Sequence, residues 1–378
     1  MTYQLMVTMA AGFEAIVNKE MQALGYQTKV DNGKIFFKGD LSDIIKTNLW
    51  LRTADRVMIV MKTFKCTSFT ELFDQVVALP WEQQLPMDAE FPVTGRSVQS
   101  KLHSVPDVQS IAKKAIVQRL QTAYHRTTRL PETGAKVKID VRLHKDIAEI
   151  LIDTTGDSLF KRGYRQEHGG APLKENFAAG LIALTPWRDN DPFLDPMTGS
   201  GTIAIEAALK ARNIAPGISR HFAFEQFTEF KPELLKEARM AAQAAIKQDL
   251  ELTIMANDID GSMIDLAKVN ADQAGVLHDI QFKQVAVKDF TTDLQNGIIV
   301  ANPPYGKRLN DQTQARQIYR EMGEVFNPMT TWSKYILTSD LDFEHYYGAK
   351  ATKRRKLYNG YLRTDLFQFW GKPTYKKH

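Results

Sequence analysis

"FLDPMTGSGTIAIEAAL", residues 193–209, carries a short apolar run into Asp195, then a turn with Gly199, Ser200 and Gly201, then a helical apolar pattern opening near Thr202. Strand, glycine turn and helix are the unit from which doubly wound α/β sheets are built. Glycines let the backbone approach a ligand closely, and the helix N-terminus offers free N–H groups beside them. The spacing Gly199-x-Gly201-x-x-Ala204 satisfies the dinucleotide fingerprint. Two features turn it away from a pyrophosphate. Asp195, directly before the turn, repels phosphates but suits an ammonium group, and no ribose-binding acid follows about 20 residues on.

Downstream the same texture continues. "LTIMANDID", "SMIDLAKVNADQAG", "IQFKQVAV", "GIIVANPP" and "WSKYILTS" alternate strand-like and helical patterns, which argues a parallel sheet with helices on both faces. Asp258 and Asp260 stand at the end of the second strand, where a carboxylate can accept both ribose hydroxyls of a nucleoside. Asp260 serves equally well as a helix N-cap. Asp289 follows the next strand, placed to accept the amino hydrogens of an adenine with Phe290 over the ring; a loop acid and a core phenylalanine are the plainer reading.

"ANPPYG", residues 301–306, stops a fourth strand with two prolines and an aromatic. An exocyclic amine on a base is a poor nucleophile because its lone pair is delocalised into the ring. Two acceptors, the Asn302 side-chain oxygen and the Pro303 carbonyl, would draw the nitrogen toward tetrahedral geometry. Proline holds that carbonyl at a fixed φ and brings no competing N–H. Tyr305 supplies a ring for a flipped base. The plainer alternative is a strand-ending turn with Tyr305 in the core.

Residues 1–65 read as β-α-β-β-α-β, the ferredoxin-like order. The hairpin is signalled by Asp31-Asn32-Gly33, the first helix ends at Gly25, and Ser42 offers an N-cap for the second helix. Residues 66–160 form a second mixed unit in which basic residues recur: Arg96, Lys101 and His103 on a strand, and Lys113, Lys114, Arg119, His125 and Arg126 around an amphipathic helix. They fit a solvated face or an RNA-contacting surface. A Gly- and charge-rich connector, "SLFKRGYRQEHGGAPL", leads into the third unit, and the tail is basic, with "KRRKLYNG" at 353–360 and "YKKH" at the end.

The bulk properties agree. At 378 residues the chain exceeds one ordinary domain, and 43% apolar with 25% charged residues can build soluble cores. A net charge of +5 and a pI near 9.0 lean mildly toward a polyanionic partner. Cys66 is the only cysteine, which excludes a disulfide framework and a Cys-based zinc site. The first residues lack the charged and apolar regions of an export signal, and no uncharged apolar run reaches 18 residues. The cytoplasm is therefore the expected compartment.

Taken in order, "DPMTGSGT", "NDID", "KDF" and "NPPYG" resemble the motifs of class I S-adenosylmethionine-dependent methyltransferases acting on amino nitrogens. "KRGYRQEHGGAPLKENFAAGLI" (161–182) and "ARNIAPGISRHFAFEQF" (211–227) resemble a narrower group. These are the THUMP-domain RNA methyltransferases, which include enzymes methylating N2 of guanine in bacterial large-subunit ribosomal RNA. The resemblance covers essentially the whole chain. It implies an α/β class: a Rossmann-like methyltransferase domain at 161–378, a THUMP domain at 66–160, and the ferredoxin-like unit at 1–65.

The resemblance further implies S-adenosylmethionine as cofactor. Asp195, Pro196, Thr198, Gly199, Gly201 and Thr202 would hold its methionine end, with Lys174, Glu175 and Asn176 in the segment lining that side. Asp258 would take the ribose, Asp289 and Phe290 the adenine, and Asn302, Pro303 and Tyr305 the target base. The implied partner is RNA, 23S rRNA first, gripped through Arg96, Lys101, Lys113, Lys114 and Arg119. No metal is needed, because displacement at a sulfonium requires no Lewis acid. A tRNA guanine, an adenine N6 or a non-catalytic role in ribosome assembly stand as alternatives. Some long bacterial homologues carry a second fused methyltransferase half, and its activity is not expected of this chain.

Overall fold

The structure is a computed structural model that describes residues 1–165, 173–305, 309–360, 362–372 and 374, with the backbone alone at 309, 310 and 359. Part of the connector (166–172), Gly306 of the proline turn and the "YKKH" end lie outside the described residues. The chain opens as β1 (Tyr3–Met9), α1 (Glu14–Ala23), β2 (Lys29–Asp31), β3 (Lys34–Gly39), α2 (Leu41–Trp50) and β4 (Ala54–Lys65), the ferredoxin-like order. Gly25 follows α1 with a φ of 95°, and Gly33 in the β2–β3 turn has a φ of 69°; both positions suit a residue without Cβ. The cap of α2 is not Ser42 but Asp40, whose carboxylate accepts the N–H groups of Ser42 and Asp43 while the Asp43 side chain returns to the Asp40 N–H. A carboxylate satisfies two orphan donors at once where Ser42 would satisfy one.

The second unit follows as α3 (Phe69–Val77), β5 (Val93–Val98), α4 (Val105–Ala123), β6 (Ile139–His144) and β7 (Ile147–Asp153). It does not form a sheet of its own. β4 runs for 12 residues, pairing antiparallel with β1 from Leu5↔Ile59 and with β7 from Met58↔Asp153 to Lys65↔Ile147. One seven-stranded sheet results, in the order β2-β3-β1-β4-β7-β6-β5. The expected division at residue 65 thus falls at the end of a strand that both units share. Pairing on both sides leaves β4 no exposed edge, which removes an aggregation hazard.

The third unit holds α5 (Glu175–Ala183), β8 (Phe193–Asp195), α6 (Thr202–Ala211), α7 (Pro232–Ala244), β9 (Ile254–Asp258), α8 (Gly261–Gln273), β10 (Ile280–Gln284) and β11 (Ile298–Ala301). It closes with α9 (Leu309–Phe326), β12 (Ser333–Thr338), α10 (Phe343–Tyr347), β13 (Lys353–Asn359) and β14 (Leu362–Phe369). Its sheet has the order β10-β9-β8-β11-β12-β14-β13, parallel through β12 and antiparallel in the last two strands. β8 and β11 are buried along their whole lengths, as strands covered by helices on both faces must be. The strand order reverses between them, and in open α/β sheets ligands sit outside the carboxyl ends at that point.

The two sheets are joined by packing and buried polar bonds. Phe13, just before α1, stacks at a tilt 4.9 Å from Phe177 on α5. A Cβ on Gly180 of α5 would overlap the Phe13 ring, so the close approach of the halves depends on that glycine. Gly180→Ala should therefore destabilise the protein by about 1–3 kcal/mol through overpacking. Urea unfolding reads this directly, and an unchanged midpoint would show that Phe13 swings away freely.

Candidate active site

Asp195 is the last residue of β8 and is fully buried. Thr198 Oγ1 donates to its Oδ2 at 2.8 Å, while Oδ1 has no hydrogen-bond partner. Burial first, and then the charge of Asp258, push its carboxyl up to about 7. Burial without a counter-charge is the condition that favours binding a cation. Pro196 and Thr198 are buried in the turn that follows, and the Thr198 N–H donates to Asn257 O at 2.8 Å. Gly199 and Gly201 have φ of 50° and 88°. A Cβ on Gly201 would press on Ala267 at 3.0 Å and Ile205 at 3.1 Å, whereas Gly199 faces open space. The backbone at Gly199 is thus accessible to a ligand.

Asp258 ends β9 and holds the glycine turn. Gly199 N–H donates to its Oδ2 at 2.8 Å and Asp260 N–H to its Oδ1 at 3.0 Å. A carboxylate offers about four lone-pair sites, so room for two further donors remains. Asp260 resolves as the N-cap of α8, accepting from Ser262 N at 2.9 Å and Ser262 Oγ at 2.7 Å. Asp289 is exposed on a 3₁₀ turn after β10. Phe290 is 8% exposed and packs in the cluster with Leu194, Ile299 and Met322, so most of its ring is already covered.

Asn302 follows directly on β11. Ile298 pairs with Phe193 and Ile299 with Leu194, so the Asp195 and Asn302 ends of two hydrogen-bonded strands lie side by side. Tyr305 Oη donates to Asn302 Oδ1 at 2.6 Å. An amide oxygen has a second lone pair, which leaves Asn302 able to accept another donor. Pro303 is buried and Tyr305 half-buried, and burial pushes the Tyr305 phenol up, keeping it neutral. Tyr319 of α9, fully buried, donates to Pro304 O at 3.0 Å and bonds Thr338 Oγ1 at 3.0 Å. This tether is not legible in the sequence, where Tyr319 reads as one more apolar position of an amphipathic helix.

Arg165 also escaped the sequence reading. Its Nη2 donates to Thr202 Oγ1 at 2.8 Å and to Leu173 O at 2.9 Å, tying the connector to the helix that opens at the glycine turn. Asn176 is nearly buried but points its amide nitrogen at Asp55 Oδ1, 2.8 Å away at the start of β4, and leaves its own Oδ1 unbonded. Its bonds are to the N-terminal half, not to the glycine turn.

The five basic positions divide. Lys113 donates to Phe91 O at 3.0 Å and Glu132 Oε2 at 2.6 Å, and its ammonium lies 3.4 Å from the Phe91 ring centroid. Arg119 makes a two-pronged ion pair with Glu82, one bond 2.8 Å long. Both are spent on holding α4 to its own unit, which departs from the expected phosphate contacts. Arg96, Lys101 and Lys114 are exposed. Among the described residues no three His, Cys, Asp or Glu side chains gather as a metal site, and no helix is long and apolar enough to cross a membrane.

Three family descriptions match the chain in succession: an RlmL ferredoxin-like domain over 4–58, a THUMP domain over 66–153 and an RMKL-like methyltransferase domain over 162–368. YpsC of Bacillus subtilis (strain 168), provisionally named an RNA methyltransferase, is 50% identical, covering 99% of this chain and 98% of its own. Ribosomal RNA large subunit methyltransferase K/L of Shewanella baltica (strain OS185) is 31% identical over 93% of this chain, which spans about half (50%) of that longer protein. Among solved structures, SMU.472, provisionally a methyltransferase and complexed with S-adenosylhomocysteine, has a TM-score of 0.94 at 48% identity, covering 99% of both chains. A protein of Listeria monocytogenes str. 4b F2365, described as a predicted N6-adenine-specific DNA methylase, has a TM-score of 0.94 at 52% identity, covering 98% of this chain and 97% of its own.

The Asp195 carboxyl sets a pH signature. Its folded value near 7 lies above the ordinary 3.8, so the native state binds the extra proton and loses stability as pH rises from about 4 through 7. Asp195→Asn removes that slope. Its melting temperature relative to the unaltered protein should climb between pH 5 and pH 7 and level off above; a difference independent of pH would mean that the carboxyl is already ionised at acid pH.

Proposed function

The chain belongs to the RMKL-like methyltransferase family, and on that premise we propose that it methylates RNA on the exocyclic N2 of a guanine, in 23S rRNA, with S-adenosylmethionine as donor. The observation that carries the reading is the pairing of β8 with β11. It sets a buried acid with a free oxygen beside a side-chain acceptor on a rigid proline turn. Bound S-adenosylmethionine supplies a methyl group on a sulfonium, an electrophile whose departing sulfur is neutral.

The rest of the chemistry belongs to this chain. Asp195 Oδ1, unbonded and buried, suits an ammonium, and the open backbone at Gly199 admits a ligand against the turn. Asp258 keeps its remaining lone pairs for hydroxyl donors while its other bonds hold it still. Asn302 and the Pro303 carbonyl accept the hydrogens of the target amine, localising the nitrogen lone pair. Tyr319 steadies that turn through Pro304. Exposed Arg96, Lys101 and Lys114 contact phosphates, which position RNA without reading its sequence. Support for RNA comes from the ferredoxin-like and THUMP matches and from the names of the YpsC and K/L relatives.

Nucleoside mass spectrometry of rRNA, tRNA and DNA from a deletion strain tests the acceptor. Loss of N2-methylguanosine from 23S rRNA is expected. Its loss from tRNA, or loss of N6-methyladenine, would reassign the acceptor, and no change in any nucleoside would overturn the reading. Asn302→Ala should abolish transfer while S-adenosylhomocysteine binds within a few fold. Asp258→Ala should weaken that binding by about 2–4 kcal/mol, as expected for lost charge-assisted bonds. Calorimetry separates the two, and unchanged affinity in the Asp258 variant would make it a structural brace only.

A further inference from the structure

A cleft of about 610 Å³ lies between residues 157–165, the start of α5 and the loop at 219–221. Asp195, Asp258 and Asn302 are not among its lining residues, although Lys174 and Glu175 on its wall belong to the segment that the resemblance sets along the cofactor's methionine side. Lys161, Arg165, Lys174 and Arg220 line it against two acids, Asp157 and Glu175, so its wall carries a net positive charge. The acids do not quench the cations fully. Glu175 pairs with Arg165 at 3.1 Å, and Asp157 pairs with the exposed Lys161 at 3.4 Å while its charge also acts on Arg220. Lys174 is exposed, with its ammonium 4.8 Å from the ring centroid of Phe160 on the same wall.

Arg220 is the telling group. It is 7% exposed, and its Nη atoms donate to the backbone carbonyls of Ser158, at 2.9 Å, and Asp157. Its Nε–H has no hydrogen-bond partner. A buried donor left unmade is costly, a loss that an oxyanion reaching Arg220 would reverse. Burial lowers its guanidinium only to about 10, so it is a cation at neutral pH. The Arg165 Nε–H, also on this wall, makes no hydrogen bond despite its ion pair with Glu175.

Position narrows the ligand. One wall descends from the N-terminal sheet, where Arg56 holds Asp153 and the Gly156 carbonyl. The other belongs to the C-terminal half, and Arg165 reaches across to Thr202 at the glycine turn. The cleft is larger than one phosphate and within the ordinary range of about 300–1,000 Å³ for ligand sites. We propose that this cleft binds a phosphodiester segment of the RNA flanking the methylated nucleotide, with Arg220 and Lys161 as its oxyanion contacts. The proposal rests on the reading of RNA as substrate.

The test uses the full chain and a labelled 12-nucleotide single-stranded RNA, with anisotropy read between 50 and 200 mM KCl. Lys161→Glu and Arg220→Lys should each weaken binding about tenfold, and Lys161→Glu should lower the salt slope by about one unit. Melting temperatures identify any variant that fails to fold, and Lys161, being exposed, supplies the test if Arg220→Lys does not. S-adenosylhomocysteine affinity should stay within twofold. Lys236→Glu, an equally exposed change on α7, should leave RNA affinity nearly unaltered.

Unchanged RNA affinity in the folded Lys161 and Arg220 variants would overturn the site while leaving the RNA reading intact. An equal loss in the Lys236 variant would overturn it in favour of general charge. A fall in S-adenosylhomocysteine affinity would assign the cleft to the cofactor. GMP binding as tightly as the oligonucleotide would make it a free-nucleotide site. If the unaltered protein binds no RNA at any salt, the substrate reading and the cleft fall together.

Discussion

Glu206 sits in the middle of α6, fully buried, and it gathers the two halves of the molecule around one carboxylate. Arg162 approaches it at 3.3 Å and Tyr164 donates to it at 3.2 Å, both from the connector. The same Arg162 donates to the Arg52 carbonyl in the N-terminal half, and the Arg52 side chain returns to the carbonyls of Leu209 and Ile214 beyond it. A buried ion pair of this kind is weak evidence for stability, since apolar side chains of equal volume often do as well. What it supplies is direction. These bonds reach α6 and the turn after it from both halves, so α6, and the glycine turn at its head, is held at one angle to the N-terminal sheet.

Unmade bonds are distributed just as unevenly. Of the eight buried side-chain atoms without partners among the described residues, Asp195 Oδ1 and Asn257 Oδ1 lie at the ends of β8 and β9, and Asn176 Oδ1 near the start of α5. The Nε atoms of Arg165 and Arg220 belong to two residues of the adjoining cleft's wall, that of Arg165 lying 3.1 Å from Glu175. Native proteins leave few such groups, because each costs about 1–3 kcal/mol. Five of the eight therefore fall where a ligand is expected. The other three, Arg52 Nη1, Arg239 Nε and Tyr347 Oη, belong to residues outside those strand ends and the cleft's wall.

The sequence was legible where chemistry is local. Strand, glycine turn and helix at 193–209, the Asn32-Gly33 hairpin and the order of the first six elements follow from spacing and turn residues alone. Asp195, Asp258 and Asn302 stand out in the sequence as polar residues at the ends of apolar strands, and Asp258 also braces the glycine turn. What stayed hidden depends on contacts distant in sequence. Nothing in "ADRVMIVMKTFK" says that one strand serves two units, because an alternating pattern is silent about which neighbours pair. Lys113 and Arg119 look like their neighbour Lys114 until Glu132 and Glu82 fold against them. Phe290 shows the same ambiguity: an aromatic after a strand covers a ligand or a core equally well.

Selection of the acceptor follows from the same rigidity. The proline turn presents acceptor oxygens that any exocyclic amine can satisfy, so its chemistry does not discriminate guanine from adenine. On the proposed reading Tyr305 would stack on any base, for every base has a π-face. Discrimination must then come from which amine arrives at Asn302, and that is a matter of distance from the surface that holds the nucleic acid. A hinged enzyme would blur the distance over several nucleotides. Here the buried bonds of Arg52, Arg162 and Asn176, together with the close approach of Phe13 over Gly180, leave no lubricated plane between the halves. On the proposed reading, a residue as remote from the chemistry as Glu206 would bear on which nucleotide is modified, because the angle it holds would set how far a gripped strand lies from Asn302.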